Sequence, residues 1–137
     1  MLGWLPSLQH GLLPAWMFLV SVTAFGNSAQ CFITGRQVSA RVYNAQPSEV
    51  TALTSRFFAA WTAASAVIRL YAAYHIQNAA IYDMAYWSYI IAFLHYGAEI
   101  FYYRTAHIRG PAFAPCVVST TSIVWMTLMR SHYVASS

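Results

Sequence analysis

Two arginines and two acids interrupt the most apolar part of the chain. Arg56 and Arg69 lie within the run SRFFAAWTAASAVIRLYAAYHI, and Asp83 and Glu99 lie within the next apolar run. The chemistry open to these residue types in such surroundings is charge pairing, because a lone ion at a bilayer centre costs roughly 2.5–3.5 kcal/mol on insertion scales. Whether opposite charges meet depends on the elements that carry them.

An antiparallel hairpin brings each of these arginines close to an acid. Counted from a turn centred on Gln77, Arg69 lies eight residues back and Asp83 six residues on. By the same count Arg56 lies 21 residues back and Glu99 22 on. The spacing therefore predicts that Arg69 is level with Asp83 and that Arg56 is level with Glu99.

Independent solvation of each charge by headgroups and water is the alternative. Arg56 lies near a helix start, from which a long side chain can reach the headgroups, and the same alternative is open for Asp83. Arg69 and Glu99 have apolar residues on both sides, which favours burial inside a bundle. His95 lies one helical turn before Glu99 on the same face and is a candidate to join its polar network.

The sequence carries no familiar catalytic pattern. No glycine-rich nucleotide loop or nucleophile elbow occurs, and three acids are too few for paired-carboxylate catalysis. Cys31 and Cys116 sit in apolar runs and are predicted to be free; a disulfide would need matching depth and an oxidising compartment. We predict a protein that is not an enzyme and that needs no metal or cofactor. The histidines, never three or four residues apart, are His10, His75, His95, His107 and His132.

The composition indicates a membrane protein. Charged residues make up 7% of the chain and hydrophobic residues 59%, whereas an average soluble domain has about 25% charged residues. A soluble fold needs a polar face on each helix, and this chain has too few polar residues to supply one. All seven basic residues are scattered arginines; nucleic-acid binding needs a clustered stripe, so no nucleic-acid partner is expected.

Four stretches are long and apolar enough to cross a bilayer core about 30 Å thick. They cover residues 12–33, 53–75, 79–103 and 112–129. The segment from Pro47 to Glu49 resembles the start of the second helix, with Ser48 as the N-cap. The predicted fold class is all-α: a polytopic membrane protein in which residues 1–137 form a single four-transmembrane-helix bundle.

The first stretch is expected to be a retained helix. A signal peptide carries a positive segment before its apolar core, and residues 1–11 offer only the terminal amine and His10. The arginines near helix ends favour a cytosolic location for the loops after the first and third stretches, which places both termini in the lumen. Five arginines, at positions 36, 41, 56, 104 and 109, lie near the helix ends on this proposed cytosolic side, against two, at positions 69 and 130, on the other side.

Polar and small residues mark two helix faces. Thr23, Asn27 and Gln30 fall on one face of the first helix, which should point at protein because lipid cannot satisfy an amide. Gly26 is expected to allow close backbone approach. The second helix has a small-residue face that also favours close packing, made of Ala59, Ala60, Ala63, Ala64 and Ser65. A ligand site is the alternative function of such faces.

Three stretches carry a family resemblance: WMFLVSVTAFGNSAQCF, PSEVTALTSRFFAAWTAASAVIRLYAAYHI and AIYDMAYWSYIIAFLHYGAEIFYYRTA. Their order and spacing resemble the ergosterol biosynthetic protein 28 family, and its fungal members in particular, from about Trp16 to Ala106. FFAAWT stands where the family often has TFGxWT, and Ala98 where a serine is common, which affects details of helix contact. The motif positions are Gly26, Asn27, Gln30, Arg56, Trp61, Thr62, Ser65, Arg69, His95 and Glu99.

The resemblance implies a non-catalytic scaffold of ergosterol biosynthesis in the endoplasmic reticulum membrane. The partners it implies are the sterol C-4 methyl oxidase, the decarboxylating sterol-4-carboxylate 3-dehydrogenase and the 3-keto sterol reductase, with the sterol C-24 methyltransferase as a further associate. Ten tyrosines, eight phenylalanines and five tryptophans also favour a homodimer. The alternatives are a membrane enzyme and a small-solute transporter or channel with a polar path through Thr23, Asn27, Gln30 and Arg69.

Overall fold

The computed structural model describes residues 6, 11–34 and 36–134. Within these residues the chain forms helices joined by irregular segments, and no strand occurs. The helices are α1 (Leu13–Thr34), α2 (Arg36–Val42), α3 (Ala52–Tyr74), α4 (Ala79–Phe101) and α5 (Phe113–Tyr133). The all-α prediction is confirmed. The four long helices lie at the stretches for which the sequence predicts helices.

Side-chain caps fix the starts of the two central helices. Thr51 Oγ1 accepts a hydrogen bond from the Thr54 backbone N–H at 3.1 Å, and Asn78 Oδ1 accepts one from the Ile81 N–H at 3.2 Å. These bonds satisfy backbone donors that have no partner within a first helical turn. The prediction of Ser48 as the N-cap is wrong, because Pro47–Glu49 forms a separate 3-10 turn before α3 begins.

The short helix α2 occupies a segment that the sequence analysis treated as a polar loop. One face of α2 is buried, with Ser39 and Val42 turned into the protein. Ser39 Oγ lies 2.9 Å from Ser55 Oγ of α3 and 3.4 Å from Cys31 Sγ of α1. The packing of this face against two long helices outweighs the polar composition of the segment.

Helices α1 and α3 pack closely through small side chains. Ser28 Oγ donates a hydrogen bond of 2.7 Å to the Ala59 carbonyl oxygen across the contact, and the Ala59 side chain is fully buried. On α1 the buried residues include Met17, Ser21, Ser28 and Cys31, which are spaced four, seven and three residues apart and so form one helix face. Small residues let two backbones approach.

The expected close contact at Gly26 is wrong. Gly26 is exposed, and a side-chain carbon built on it would have no neighbour within 4 Å. Gly26 lies two positions before Ser28, a rotation of about 200° around the helix axis, so Gly26 faces away from α3. The predicted face of α3 is half correct: Ala59 and Ser65 are buried, whereas Ala60 and Ala64 are exposed.

Helix α5 closes the bundle at the end near Leu13. Trp16 Nε1 of α1 donates to Ser122 Oγ of α5 at 2.8 Å, and the Leu13 backbone N–H lies 3.3 Å from the Tyr133 hydroxyl that accepts its hydrogen bond. Tyr82 of α4 donates to the Met126 carbonyl oxygen at 2.6 Å. These contacts hold α1, α4 and α5 together at this end of the bundle.

The hydroxyl groups of α5 turn back to the helix that carries them. Thr120 donates to the Cys116 carbonyl oxygen, and Ser122 and Thr127 each donate to the carbonyl four residues earlier, all at 2.7 Å. Such bonds satisfy a hydroxyl without a partner from another element. The hydroxyl donors of these three residues therefore need no acceptor from another helix.

Among the described residues, α1 is the one helix that meets a length-and-composition criterion for crossing a membrane. Its most apolar stretch has a mean hydropathy of 1.3, and 28% of that stretch is buried inside the structure, so most of it faces outward. The composition of the helices does not confirm four membrane crossings.

The α1–α3 contact predicts a size limit at Ala59. Ala59→Leu should lower the free energy of unfolding by about 1–3 kcal/mol, the usual cost of inserting extra methylene groups into a packed contact. The matched control is Ala60→Leu, at the exposed neighbouring position, which should melt like the parent protein. Thermal unfolding in a mild detergent measures both. Equal melting temperatures for the two variants would contradict the packing described.

Candidate functional site

Arg69 is the buried charge of the helical bundle. Its residue is 8% exposed, and Nε and Nη2 donate to Ser88 Oγ at 3.1 Å and to the Ser88 carbonyl oxygen at 3.2 Å. The guanidinium carbon lies 4.1 Å from the centre of the Tyr89 ring, a distance at which the ring attracts a cation. Two adjacent residues of α4 thus satisfy part of the guanidinium.

The predicted pairing of Arg69 with Asp83 is wrong. Asp83 instead binds Arg130 of α5 through two hydrogen bonds, of 2.9 and 2.8 Å, and the two side chains are 44% and 49% exposed. Asp83 lies on α4 five residues before Ser88, the residue that Arg69 contacts. The five residues from Asp83 to Ser88 rotate the helix by about 140°, which turns the carboxylate away from α3.

The predicted pairing of Arg56 with Glu99 is also wrong. Arg56 is exposed, and no ion pair joins it to Glu99 within the part of the chain that the structure describes. Arg56 follows the buried Ser55, so it points about 100° away from the contact face of α3. The Glu99 carbonyl oxygen accepts the Thr105 N–H at 2.8 Å, while Oε2 is buried without a hydrogen-bond partner among the described residues.

His95 pairs with a tyrosine that the sequence analysis did not select. The Tyr43 hydroxyl lies 2.6 Å from His95 Nε2. Burial raises the pKa of Tyr43 far above its ordinary value, so the phenol keeps its proton and is available as the donor. The expected hydrogen bond between His95 and the Glu99 network is absent from the described contacts. Tyr43 lies outside the four apolar stretches, so the sequence pattern does not predict its burial.

Aromatic rings surround His95 on its own helix and on α3. The Trp61 and Tyr96 ring centres each lie 5.0 Å from the His95 ring centre, and Tyr43 meets Phe58 edge to face. His95, Glu99 and Tyr43 line a cavity of about 310 Å³ at the α2 end of the bundle. The structure therefore brings His95 and Glu99 to one cavity without joining them directly.

A larger cavity of about 500 Å³ lies between α1, α3, α4 and α5. Asn27 of α1 lines it, as the predicted orientation of that polar face requires, whereas Gln30 is exposed and the prediction for it is wrong. None of the described residues that line this cavity is acidic. The predicted residues that line it are Thr23, Asn27, Trp61, Thr62, Ser65 and Arg69, and the polar residues that sequence reasoning missed are Arg41, Tyr89, Tyr96 and Ser119.

Both cysteines are free thiols, as predicted. Cys31 is buried beside Ser39 at the contact of α1 with α2, and Cys116 is half-buried in α5.

The hydrogen bond between Tyr43 and His95 predicts a modest loss of stability for Tyr43→Phe. The substitution keeps the ring against Phe58 and removes one buried donor, which typically contributes about 0.5–1.5 kcal/mol. Tyr102→Phe is the control, because Tyr102 is 78% exposed. Unfolding followed in detergent should show a lower midpoint for the first variant alone. An unchanged midpoint for Tyr43→Phe would mean that the bond adds nothing to stability.

Comparison with known proteins identifies the family. The family model described as "Erg28 like protein" matches residues 13–124. Ergosterol biosynthetic protein 28 of Saccharomyces cerevisiae is 36% identical over 129 residues, which cover 94% of this chain and 87% of the relative. The Schizosaccharomyces pombe protein of the same name is 38% identical over 122 residues, covering 89% of this chain and 88% of its own length.

A human relative extends the similarity beyond fungi. The Homo sapiens protein named "Ergosterol biosynthetic protein 28 homolog" is 34% identical over 115 residues, which cover 84% of this chain and 82% of the relative. No solved structure matches the chain. The extent of these matches shows that the chain belongs to the Erg28 family.

Proposed function

We propose that this protein is a non-catalytic scaffold of the endoplasmic reticulum membrane that tethers the enzymes of sterol C-4 demethylation. The observation that carries the proposal is the family match over residues 13–124, with relatives whose names place them in ergosterol biosynthesis. The enzymes tethered are the sterol C-4 methyl oxidase, the decarboxylating sterol-4-carboxylate 3-dehydrogenase and the 3-keto sterol reductase, with the sterol C-24 methyltransferase as an associate.

The outer surface supports a bundle of four membrane-spanning helices as a single domain. Large apolar side chains point outward on every long helix, and many are more than half exposed. Soluble proteins rarely expose large contiguous apolar patches. Examples are Leu19 at 56% on α1, Phe57 at 68% on α3, Trp87 at 61% and Leu94 at 61% on α4, and Leu128 at 73% on α5.

Polar contacts at the surface and in the interior support a structural role for the ionisable groups. Asp83 is held by Arg130, Arg69 by Ser88 and Tyr89, and the His95 ring is held among aromatic rings by Tyr43. A general acid or base needs access to a substrate proton, whereas these groups hold one helix against another. The interior thus sets the shape of the bundle.

A protein without catalytic chemistry can still assist a reaction sequence by holding its enzymes together. Sterol intermediates are insoluble in water and pass between enzymes within the membrane. Holding two enzymes on one scaffold makes the second encounter intramolecular, with an effective concentration in the millimolar range for short links. The outward aromatic side chains are the proposed contacts with the enzymes and with a second copy of the chain, in a symmetric homodimer.

Four crossings predict the sides on which the loops lie. The chain has no natural Asn-x-Ser/Thr acceptor, so an inserted glycosylation tag reports its own position. Tags at either terminus or in the turn 75–78 should be glycosylated, and a tag in the loop 102–112 should not. Modification of both loops, or of neither, would contradict a bundle of four spans in this orientation.

Enzyme association is the direct test of the scaffold. The tagged chain is co-expressed with an untagged copy in a fungal strain that lacks its own protein and is isolated in mild detergent. It should recover the three C-4 demethylation enzymes and the untagged copy. The strain without the protein should accumulate C-4 methylated or carboxylated sterols. Recovery of no enzyme, with a normal sterol profile in the deletion strain, would overturn the proposal.

Two kinds of variant separate the surface from the interior in the same experiment. Trp87→Ala changes an outward side chain and should keep the melting temperature while recovering less enzyme. Arg69→Leu or Glu99→Leu changes the interior and should lose stability and enzyme recovery together. An Arg69→Leu protein that melts normally but recovers no enzyme would contradict this division of roles.

A further inference from the structure

The larger cavity combines apolar walls with a buried positive charge. At about 500 Å³ it falls within the range of small-molecule sites,. Its walls include Val20, Phe58, Ala92 and Val118, and its two charged residues are both cations, Arg41 and Arg69. A cavity with this lining favours a ligand that has a large apolar body and a negative charge.

The two cations lie at opposite ends of the cavity. On α3 the lining runs from Phe58 to Arg69, which is about 16 Å along the helix at 1.5 Å per residue. Arg69 is at the inner end, beyond which Trp16 and Ser122 join α1 to α5. Arg41 is exposed on α2 at the outer end. The cavity is therefore closed near Arg69 and open near Arg41.

The charge of Arg69 has no anionic partner among the described residues. Its recorded contacts use Nε and Nη2 on Ser88 and the face of the Tyr89 ring, and all of these partners are neutral. A buried cation is stable when an opposite charge or water meets it. The Tyr89 hydroxyl is also buried without a hydrogen-bond partner in the described part of the chain.

We propose that this cavity binds a lipid-soluble monocarboxylate, with the carboxylate on Arg69 and the apolar body extending towards Arg41. A guanidinium pairs well with a carboxylate, and a single buried cation balances a single negative charge. The identification of the body as a sterol acid rests on the proposed function in sterol metabolism, whereas the carboxylate site rests on the cavity alone. A membrane fatty acid has the same chemistry and is the other source.

Ligands that differ only in charge test the site. The full-length chain, purified in a neutral detergent, is titrated by calorimetry with a 4-carboxysterol, its methyl ester and palmitate. The acid should bind about tenfold more tightly than the ester. Equal affinity for acid and ester would overturn the proposal. Tighter binding of palmitate than of the sterol acid would support the carboxylate site and overturn the sterol assignment.

Neighbouring valines of α5 provide a matched pair of variants. Val118→Phe adds volume inside the cavity, and Val117→Phe adds it at a side chain that is 44% exposed outside the cavity lining. The first should weaken binding of the 4-carboxysterol about tenfold and the second should leave it unchanged. Full binding by a folded Val118→Phe protein would overturn the proposed location.

Removal of the cation provides a second, independent measurement. A folded Arg69→Gln protein should bind the acid and the ester with about equal affinity, so that the roughly tenfold preference of the parent chain is lost. A preference for the acid that survives in Arg69→Gln would overturn the role of Arg69. These titrations contain no enzyme, so their failure leaves the scaffold proposal standing, and failure of enzyme recovery leaves the carboxylate site standing.

Discussion

Burying a guanidinium between two helices costs free energy unless its N–H groups and its charge are both met. Arg69 of α3 finds partners for part of its guanidinium on α4, where Ser88 accepts two hydrogen bonds and the Tyr89 ring faces the cation. Because these partners are adjacent residues, the contact fixes the rotation of α4 relative to α3. That rotation carries Asp83 to the surface, where it meets Arg130 of α5.

Two kinds of packing divide the bundle along its length. Small side chains and hydroxyl groups bring α1 close to α3, as the bond from Ser28 to the Ala59 carbonyl illustrates. At the end near Leu13, hydrogen bonds from Trp16 and to Tyr133 hold α1 against α5. The large cavity occupies the remaining space between the helices. Because α1 packs tightly against α3 and α5 closes the end near Leu13, the cavity opens at the end of the bundle that bears α2.

The positions of the long helices follow from the apolar stretches, because hydrophobic length is a property of the sequence alone. The partners of the charges do not follow in the same way. Counting residues from a turn gives the position of Asp83 along α4 but not the direction in which it points. The same count across α4 and α5 pairs Asp83 with Arg130, because Arg130 lies about as far from the end of α5 as Asp83 lies from the start of α4.

Local sequence rules were least informative where a tertiary contact decides the structure. Ser48 is a good N-cap residue, yet Thr51 caps α3. Gly26 is small enough for a close contact, yet the contact with α3 is made by the opposite face of α1, which carries Ser28. Tyr43 belongs to a segment without hydrophobic periodicity and is buried against His95 all the same.

The hydroxyl bonds within α5 bear on how the surroundings experience that helix. A hydropathy scale scores serine and threonine as if each exposed an unmet polar group, but Thr120, Ser122 and Thr127 already donate to carbonyl oxygens of their own backbone. Residue-by-residue scoring therefore makes the helix more hydrophilic than the surface it presents. At the exposed positions Thr120 and Thr127, hydrocarbon chains would therefore meet hydroxyl groups whose donors already bind the backbone of α5.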